Sequence, residues 1–166
     1  MPNLFDLSTT LTVIFAALLV GNVATQLWLN ARQARHVWTH RDTVPMAFAA
    51  SLSLAEHQKA ADYTLAKLRL GNWGILLSAT VLLGWTLMGG LEALNLALRD
   101  VFGAGMTQQL ALMASVTVLG SLIELPLSWW RTFRLEAAFG FNKTTPKLWI
   151  NDLLKGALLG ALLGLP

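Results

Sequence analysis

Three long apolar stretches, separated by clusters of charged residues, constrain this chain more than any other feature of its sequence. They lie at about residues 7–29, 73–94 and 110–130. A helix needs roughly 20 apolar residues to cross the hydrocarbon core of a bilayer, and each stretch has that length. Charged residues make up only 13% of the chain, about half the share found in an ordinary soluble domain. The sequence therefore predicts an all-α, polytopic transmembrane helical bundle.

A fourth apolar stretch covers about residues 149–166 and brings the predicted number of spans to about four. Thr145 is expected to cap this helix, and Pro146 to be its first residue, where a missing N–H costs nothing. Asp152 and Lys155 lie three positions apart near its start, so they share a helical face and are predicted to form a structural pair. Because the stretch is still apolar at its end, the chain is expected to be part of a longer protein.

The basic residues predict the orientation of these spans. Of the 12 lysines and arginines, only Arg99 falls in the loop between the second and third spans, and none precedes the first span. The positive-inside rule therefore makes loops 30–72 and 131–148 cytoplasmic and leaves the amino terminus outside. Tryptophans form interfacial belts in membrane proteins, and five of them lie at the predicted cytoplasmic ends of the spans: Trp28, Trp73, Trp129, Trp130 and Trp149.

Loop 30–72 is long, and its second half has the composition of a helix. Residues 47–70 contain no glycine or proline and are rich in Ala, Leu, Glu, Gln and Lys, all of which favour helix formation. We expect a cytoplasmic helix here that leads into the second span.

The third span carries a polar stripe, whose members are Thr117, Ser121, Glu124 and Ser128. Spacings of four, three and four residues place them on one helical face. A carboxylate within a span usually faces a bundle interior or a watery cavity, which favours a chamber lining. Glu124 is also only six residues from Trp130, so reaching the interface or packing against a basic neighbour explains it as well. Both interpretations stay open.

Metal and cofactor motifs are missing from the sequence. His36 and His40 have the spacing of a zinc-binding helix, but Val37 stands where the His-Glu-x-x-His motif requires glutamate. The third histidine, His57, is remote in sequence, and the chain has no cysteine. No glycine-rich phosphate loop or nucleophile elbow is present, and the clustering of the basic residues fits a membrane better than nucleic acid. We expect no metal site and no complete catalytic site within the chain.

One segment resembles a known family. It runs from Leu125 to Thr145 and reads LPLSWWRTFRLEAAFGFNKTT, and it is similar to the signature of the CAAX prenyl protease 1 family. That signature has an LPFSLY-like turn, then TF, a glutamate, and GFN followed by a basic residue and threonine. Trp130 replaces a tyrosine of that pattern, and two alanines, Ala137 and Ala138, stand where charged residues are frequent.

Shorter matches lie elsewhere along the chain. They are Arg32-Gln33, residues 58–64 (QKAADYT) with Lys67 close behind, and the Asp152/Lys155 pair. Each means little alone, but together with the GFN segment they cover nearly the whole chain.

The resemblance implies a seven-span zinc metalloendopeptidase with a large internal chamber. Residues 1–166 would be its amino-terminal membrane domain, forming chamber wall and cytoplasmic loop. Zinc would bind downstream, to a His-Glu-x-x-His helix and a later glutamate, so this chain alone should be inactive. The implied partners are the lipid bilayer, the missing carboxy-terminal catalytic region and a peptide or protein substrate. The implied activity is CAAX-type proteolysis or membrane-protein quality control.

The polar stripe and the signature segment together supply candidate residues for the substrate side of the chamber. These candidates are Glu124, Glu136, Asn142, Lys143 and Thr144, and a purely structural turn is an equally good interpretation of the GFN segment. The compact loops favour a bacterial inner-membrane protein. The alternative is a non-enzymatic membrane scaffold or transporter subunit, which the polar stripe and the missing catalytic motif would also fit.

Overall fold

The computed structural model describes residues 4–48 and 50–164, and the regular structure within them is helical. Five helices account for most of it: α1 (Leu4–Thr39), α2 (Leu54–Thr86), α3 (Gly90–Phe102), α4 (Met106–Trp130) and α5 (Pro146–Gly164). The chain divides into two compact units, residues 1–93 and 94–166. The predicted all-α class is confirmed.

In the first unit, α1 and α2 pack against each other. Helix α1 continues ten residues beyond the predicted end of the first span, because residues 30–39 contain no glycine or proline to stop it. Hydropathy marks where an apolar stretch ends, whereas a helix continues until its backbone is interrupted.

The cytoplasmic helix predicted for residues 47–70 begins later than expected. Met46–Phe48 form a 3₁₀ turn, and α2 starts only at Leu54. Ser53 sets this start through a capping box: its hydroxyl accepts a hydrogen bond from the Glu56 N–H, and the Glu56 carboxylate accepts one from the Ser53 N–H at 2.9 Å. Each group satisfies a backbone donor that the first helical turn leaves unpaired. From there α2 runs without interruption into the predicted second span, as expected.

The predicted second span, residues 73–94, contains a break. Helix α2 ends at Thr86, Gly89 adopts a left-handed conformation with φ 79°, and α3 begins at Gly90. Glycine lacks the Cβ that makes this conformation costly for other residues. The consecutive glycines are the sequence signal for the break.

In the second unit, α4 passes through Pro126 and continues as a π-helical segment, Arg131–Glu136, and one final α-helical turn, Ala137–Phe139. At the other end of α4, Gln108 is buried, and its side chain donates a hydrogen bond to the Asn95 side chain of α3. Burial of the Gln108 amide is tolerated because this bond supplies a partner.

Two helical stretches are long and apolar enough to cross a membrane, Leu7–Thr39 and Met106–Phe139, and α2 with α3 makes a third if the broken pair is one span. These counts apply to the described residues, and residues 165–166 of the predicted fourth span lie outside them. Helix α5 carries Lys147, Asp152 and Lys155 in its 19 residues. Its crossing, like the exact bounds of all four spans, stays a prediction.

Large apolar side chains are exposed along these helices, as the lipid-facing surface of a membrane protein requires. Leu18, Val20, Leu158 and Leu162 each have more than 60% of their surface accessible. Such continuous apolar surface is a liability in water and is normal against lipid or a packed neighbour.

Candidate functional site

The GFN segment forms a tight turn between the end of α4's extension and the start of α5. Gly140 has φ 78°, which reverses the chain. The Glu136 carbonyl oxygen then accepts two hydrogen bonds, from Phe141 N–H at 2.9 Å and from Asn142 N–H at 3.2 Å. This closes the carboxyl end of the helix in the way that left-handed glycine caps do. The GFN segment therefore forms a turn, as the structural interpretation of this segment expected.

The Asn142 side chain holds the backbone that follows this turn. Its side-chain Oδ1 accepts a hydrogen bond from Thr144 N–H at 2.7 Å, and the pair is partly buried. Thr145 then caps α5, because its hydroxyl accepts from Leu148 N–H at 3.2 Å and its carbonyl accepts from Trp149 N–H at 3.0 Å. The predicted helix start at Thr145 and Pro146 is confirmed. Three of the predicted site residues, Glu136, Asn142 and Thr144, are thereby joined in one hydrogen-bonded turn.

An aromatic cluster holds the two sides of this turn together. Trp129 packs on Phe133 with ring centroids 4.2 Å apart, and Trp149 meets Trp129 edge-on at 5.3 Å. Phe133 and Trp149 complete the cluster at 6.2 Å. Edge-to-face aromatic contacts at these distances are favourable beyond the area they bury. The sequence predicts both tryptophans at the interface but not their contact, because that contact depends on the turn geometry.

The remaining two predicted site residues take no part in these hydrogen bonds. Lys143 is within the turn but exposed, and Glu124 is exposed on α4. Twelve residues separate Glu124 from Glu136, roughly 18 Å along a helix. Thr117 and Ser121 of the polar stripe donate to carbonyl oxygens four residues earlier, at 2.8 Å each. That these residues share one surface of the chamber stays a prediction.

Asp152 and Lys155 are both exposed on α5, and within the described residues they do not approach to ion-pair distance. Their pairing in the full-length protein stays a prediction.

The first unit contains a polar cluster that sequence analysis missed. Asp62 receives two hydrogen bonds from Arg41, from Nε to Oδ1 and from Nη2 to Oδ2, both at 2.8 Å. Gln58 donates to Asp42 at 2.8 Å, and the His57 ring nitrogen lies 3.0 Å from the His40 carbonyl oxygen. The cluster ties the segment after α1 to the first turns of α2. Residues 58–62 fall within the QKAADYT match, so Asp62 and Gln58 have a structural role there.

The charges of this cluster influence one another. The hydrogen bonds from Arg41 lower the pKa of Asp62, and Asp62 in turn raises the pKa of Arg41. The Ser53 hydroxyl and N–H lower the pKa of Glu56 in the capping box. A bidentate arginine–carboxylate pair adds geometric specificity that a single ion pair lacks. These groups tie the segment after α1 to the first turns of α2 within the predicted cytoplasmic loop.

Acidification should loosen this loop. The folded-state pKa of Asp62 is below its value in an unfolded chain, about 3.9, so the pair's contribution is complete at neutral pH and is lost as pH falls through the folded pKa. We expect Asp62→Asn in the full-length protein to increase limited proteolysis of residues 40–62 severalfold at pH 7. In this variant the rate of proteolysis should increase less below pH 4 than it does in the wild type. Asp100→Asn, a change of the same type on α3, should leave cleavage at wild-type rates, and equal cleavage of both variants would contradict a role for the pair.

The histidines do not assemble a metal site. His36 and His40 stack with centroids 4.3 Å apart, and His40 Nδ1 lies 2.8 Å from the His36 carbonyl oxygen. In residues 4–48 and 50–164 no three histidine, cysteine or acidic side chains are grouped to hold a metal ion. The donor set that a catalytic zinc requires is therefore lacking in the described part of the chain.

Long apolar helices joined by a basic, tightly turned loop define the class: this is an integral membrane protein of the helical type. A family described as the CAAX prenyl protease amino-terminal region, with five membrane helices, matches residues 33–166. The chain belongs to this family, and it matches the amino-terminal membrane region. The resemblance inferred from the GFN segment is confirmed.

Curated relatives agree with this family. The chain is 29% identical over 168 residues to the probable CAAX prenyl protease 1 of Schizosaccharomyces pombe, an alignment covering 91% of this chain and 34% of that protein. It is 28% identical to the human CAAX prenyl protease 1 homolog, over 86% of this chain and 32% of that protein. A 57-residue segment is 47% identical to the Oryza sativa homolog, covering 34% of this chain and 13% of that protein. The chain spans about a third of the length of the relatives that it matches along most of its own length.

A solved structure shares the fold. The crystal structure of S. mikatae Ste24p superposes with a TM-score of 0.82 at 23% identity, covering 92% of this chain and 36% of that one. The helical arrangement is thus the one found in that protein.

Proposed function

We propose that this chain is the amino-terminal transmembrane region of an intramembrane zinc metalloendopeptidase that performs CAAX-type proteolysis or membrane-protein quality control. The family match over residues 33–166 carries this proposal. The hydrogen-bonded turn at residues 136–144 supports it, because the residues that resemble the family signature form that turn. The chain contributes chamber wall and cytoplasmic loop, and the zinc lies in the part of the full-length protein downstream of it.

The proposal includes an orientation. The amino terminus lies outside, and loops 30–72 and 131–148 lie in the cytoplasm of a bacterial inner membrane. Support comes from the distribution of basic residues and from the exposed tryptophans at the predicted cytoplasmic boundary, such as Trp28, Trp73 and Trp130. Labelling of cysteines introduced at positions 59 and 143 tests it: reaction of both from the cytoplasmic side is expected, and opposite sides would contradict it.

A peptidase assay tests the activity. The full-length protein in proteoliposomes should cleave a peptide ending in a CAAX sequence or a misfolded membrane-protein substrate. A zinc chelator should abolish cleavage and added zinc should restore it, because the metal activates water and polarises the peptide carbonyl when bound. Residues 1–166 alone should be inactive. The proposal would be contradicted if neither substrate class were cleaved, or if cleavage survived chelation. Either result would favour a scaffold or transporter subunit.

A further inference from the structure

An open groove of about 430 Å³ runs between α1 and α2 in the first unit. Asn30, Ala31, Ala34, Arg35, Trp38 and Thr39 line one side, and Leu65, Leu68, Arg69 and Asn72 line the other. At one end of the groove, Asn30 donates a hydrogen bond to Asn72 at 2.7 Å, which joins the two helices. The groove is therefore a defined feature of the helix pair.

The groove is positively charged. Its ten lining residues include Arg35 and Arg69 but no aspartate or glutamate. Within the described residues neither guanidinium is in an ion pair, and the carboxylates of Asp42 and Asp62 are bound to Arg41. Two arginines without a counter-ion favour the binding of an anion in the groove. Guanidinium groups match phosphate oxygens in geometry.

The groove also lies at a particular depth. Asn30 and Asn72 are adjacent to the predicted belt, in which Trp28 and Trp73 are 55% and 68% exposed. Arg35 is five residues beyond Asn30, and Arg69 is three before Asn72, roughly 5–8 Å along their helices. The headgroup layer on one side of a bilayer has about that thickness. Both charges therefore lie in the headgroup layer of the proposed cytoplasmic leaflet.

The apolar part of the lining suits an amphiphile better than a free ion. Trp38 is 65% exposed beside the arginines, and Leu65 and Leu68 supply an apolar wall. Basic pockets between membrane helices on the cytoplasmic side recognise acidic lipid headgroups. From charge, depth and lining together, we propose that this groove binds the phosphate headgroup of an acidic phospholipid of the cytoplasmic leaflet.

Lipid affinity of the full-length protein in neutral detergent tests this proposal. The probes are short-chain phosphatidylglycerol and phosphatidylcholine of equal chain length, and we expect clear preference for phosphatidylglycerol. Each basic residue near an anionic lipid surface contributes about fivefold in affinity, so the double variant Arg35→Ala/Arg69→Ala should bind phosphatidylglycerol roughly 30-fold more weakly. Its phosphatidylcholine affinity should not change. A control, Arg99→Ala, removes a basic residue that lies outside the groove in the predicted outer loop, and it should stay within twofold of the wild type.

Three results would overturn the proposal. The first is equal loss of phosphatidylglycerol binding in the control variant. The second is displacement of the lipid by inorganic phosphate at the same concentration, which would indicate a free-anion site. The third is wild-type lipid affinity in the double alanine variant; a lower melting temperature of that variant in lipid-free detergent would then assign the groove to another segment of the protein. If the alanine variant fails to fold, Arg35→Gln/Arg69→Gln removes both charges while keeping polar side chains and gives the same readout. None of these results depends on peptidase activity, so the proposed protease function is tested separately.

Discussion

Replacing Asn142 by alanine in the full-length protein should lower kcat/KM for peptide cleavage by roughly 10- to 100-fold. Its Oδ1 is the acceptor for Thr144 N–H, at 2.7 Å in a partly buried turn. Without it, that donor has no partner and the chain between α4 and α5 is free to shift. A displacement of about 1 Å at a catalytic chamber is enough for a 100-fold loss. The measurement is a steady-state peptidase assay in proteoliposomes, with variant and wild type at equal protein level.

Three control variants separate the contributions within the turn. Asn142→Asp keeps an oxygen acceptor at the same position and should retain most of the activity. Lys143→Ala changes an exposed side chain and should have less than a threefold effect if only the turn geometry matters. Glu136→Ala leaves intact the carbonyl oxygen that accepts the bonds from Phe141 and Asn142, so a loss there would assign a role to the carboxylate itself. Unchanged activity in both the Asn142 and Glu136 variants would remove these residues from the site.

A purely structural turn predicts a different pattern for the same variants. In that case Asn142→Ala would lower the melting temperature and the amount of folded protein, while kcat/KM per folded molecule would not change. Measuring thermal unfolding beside activity distinguishes the two interpretations. The aromatic cluster of Trp129, Phe133 and Trp149 supports the turn from one side, so we expect the variant to fold.

Local signals in the sequence predicted the local structure well. Thr145 and Pro146 mark the start of α5, and Gly140 marks the reversal before it, because caps and left-handed glycines act over four or five residues. The family signature named the right segment for the turn. Hydropathy predicted the first and third apolar stretches, and the first, predicted to end near Leu29, lies in a helix that continues to Thr39.

Contacts between distant residues could not be predicted in this way. Asn30 and Asn72 are 42 positions apart, and Arg41 and Asp62 are 21 apart. Polar residues within a single helix offer many alternative partners, and the packing of α1 on α2 decides which of them meet. The same packing creates the basic groove, since neither Arg35 nor Arg69 is distinctive in the sequence alone. The π-helical segment after Trp130 likewise carries no local signal that composition reveals.

Gly90→Ala, at the break between α2 and α3, is the second substitution with a large expected effect. It should lower the free energy of unfolding of the full-length protein by about 1–3 kcal/mol, the usual cost of overpacking a close contact. A Cβ at position 90 would lie 2.7 Å from the Gly84 carbonyl oxygen and 3.3 Å from the Trp85 ring. The nearest atom belongs to the backbone, so relief requires the end of α2 or the start of α3 to move.

Gly71→Ala is the matched control for this substitution. Gly71 lies within α2, and a Cβ there meets nothing within 4 Å. Alanine favours a helix interior over glycine by about 1 kcal/mol, so this variant should unfold at the same temperature as the wild type or higher. Thermal unfolding of both variants in one detergent gives the comparison. If the two glycines respond alike, the close approach of Gly90 to Gly84 does not determine the break. If Gly90→Ala unfolds at a lower temperature than the wild type and Gly71→Ala does not, the break in the predicted second span depends on the absence of a side chain at position 90.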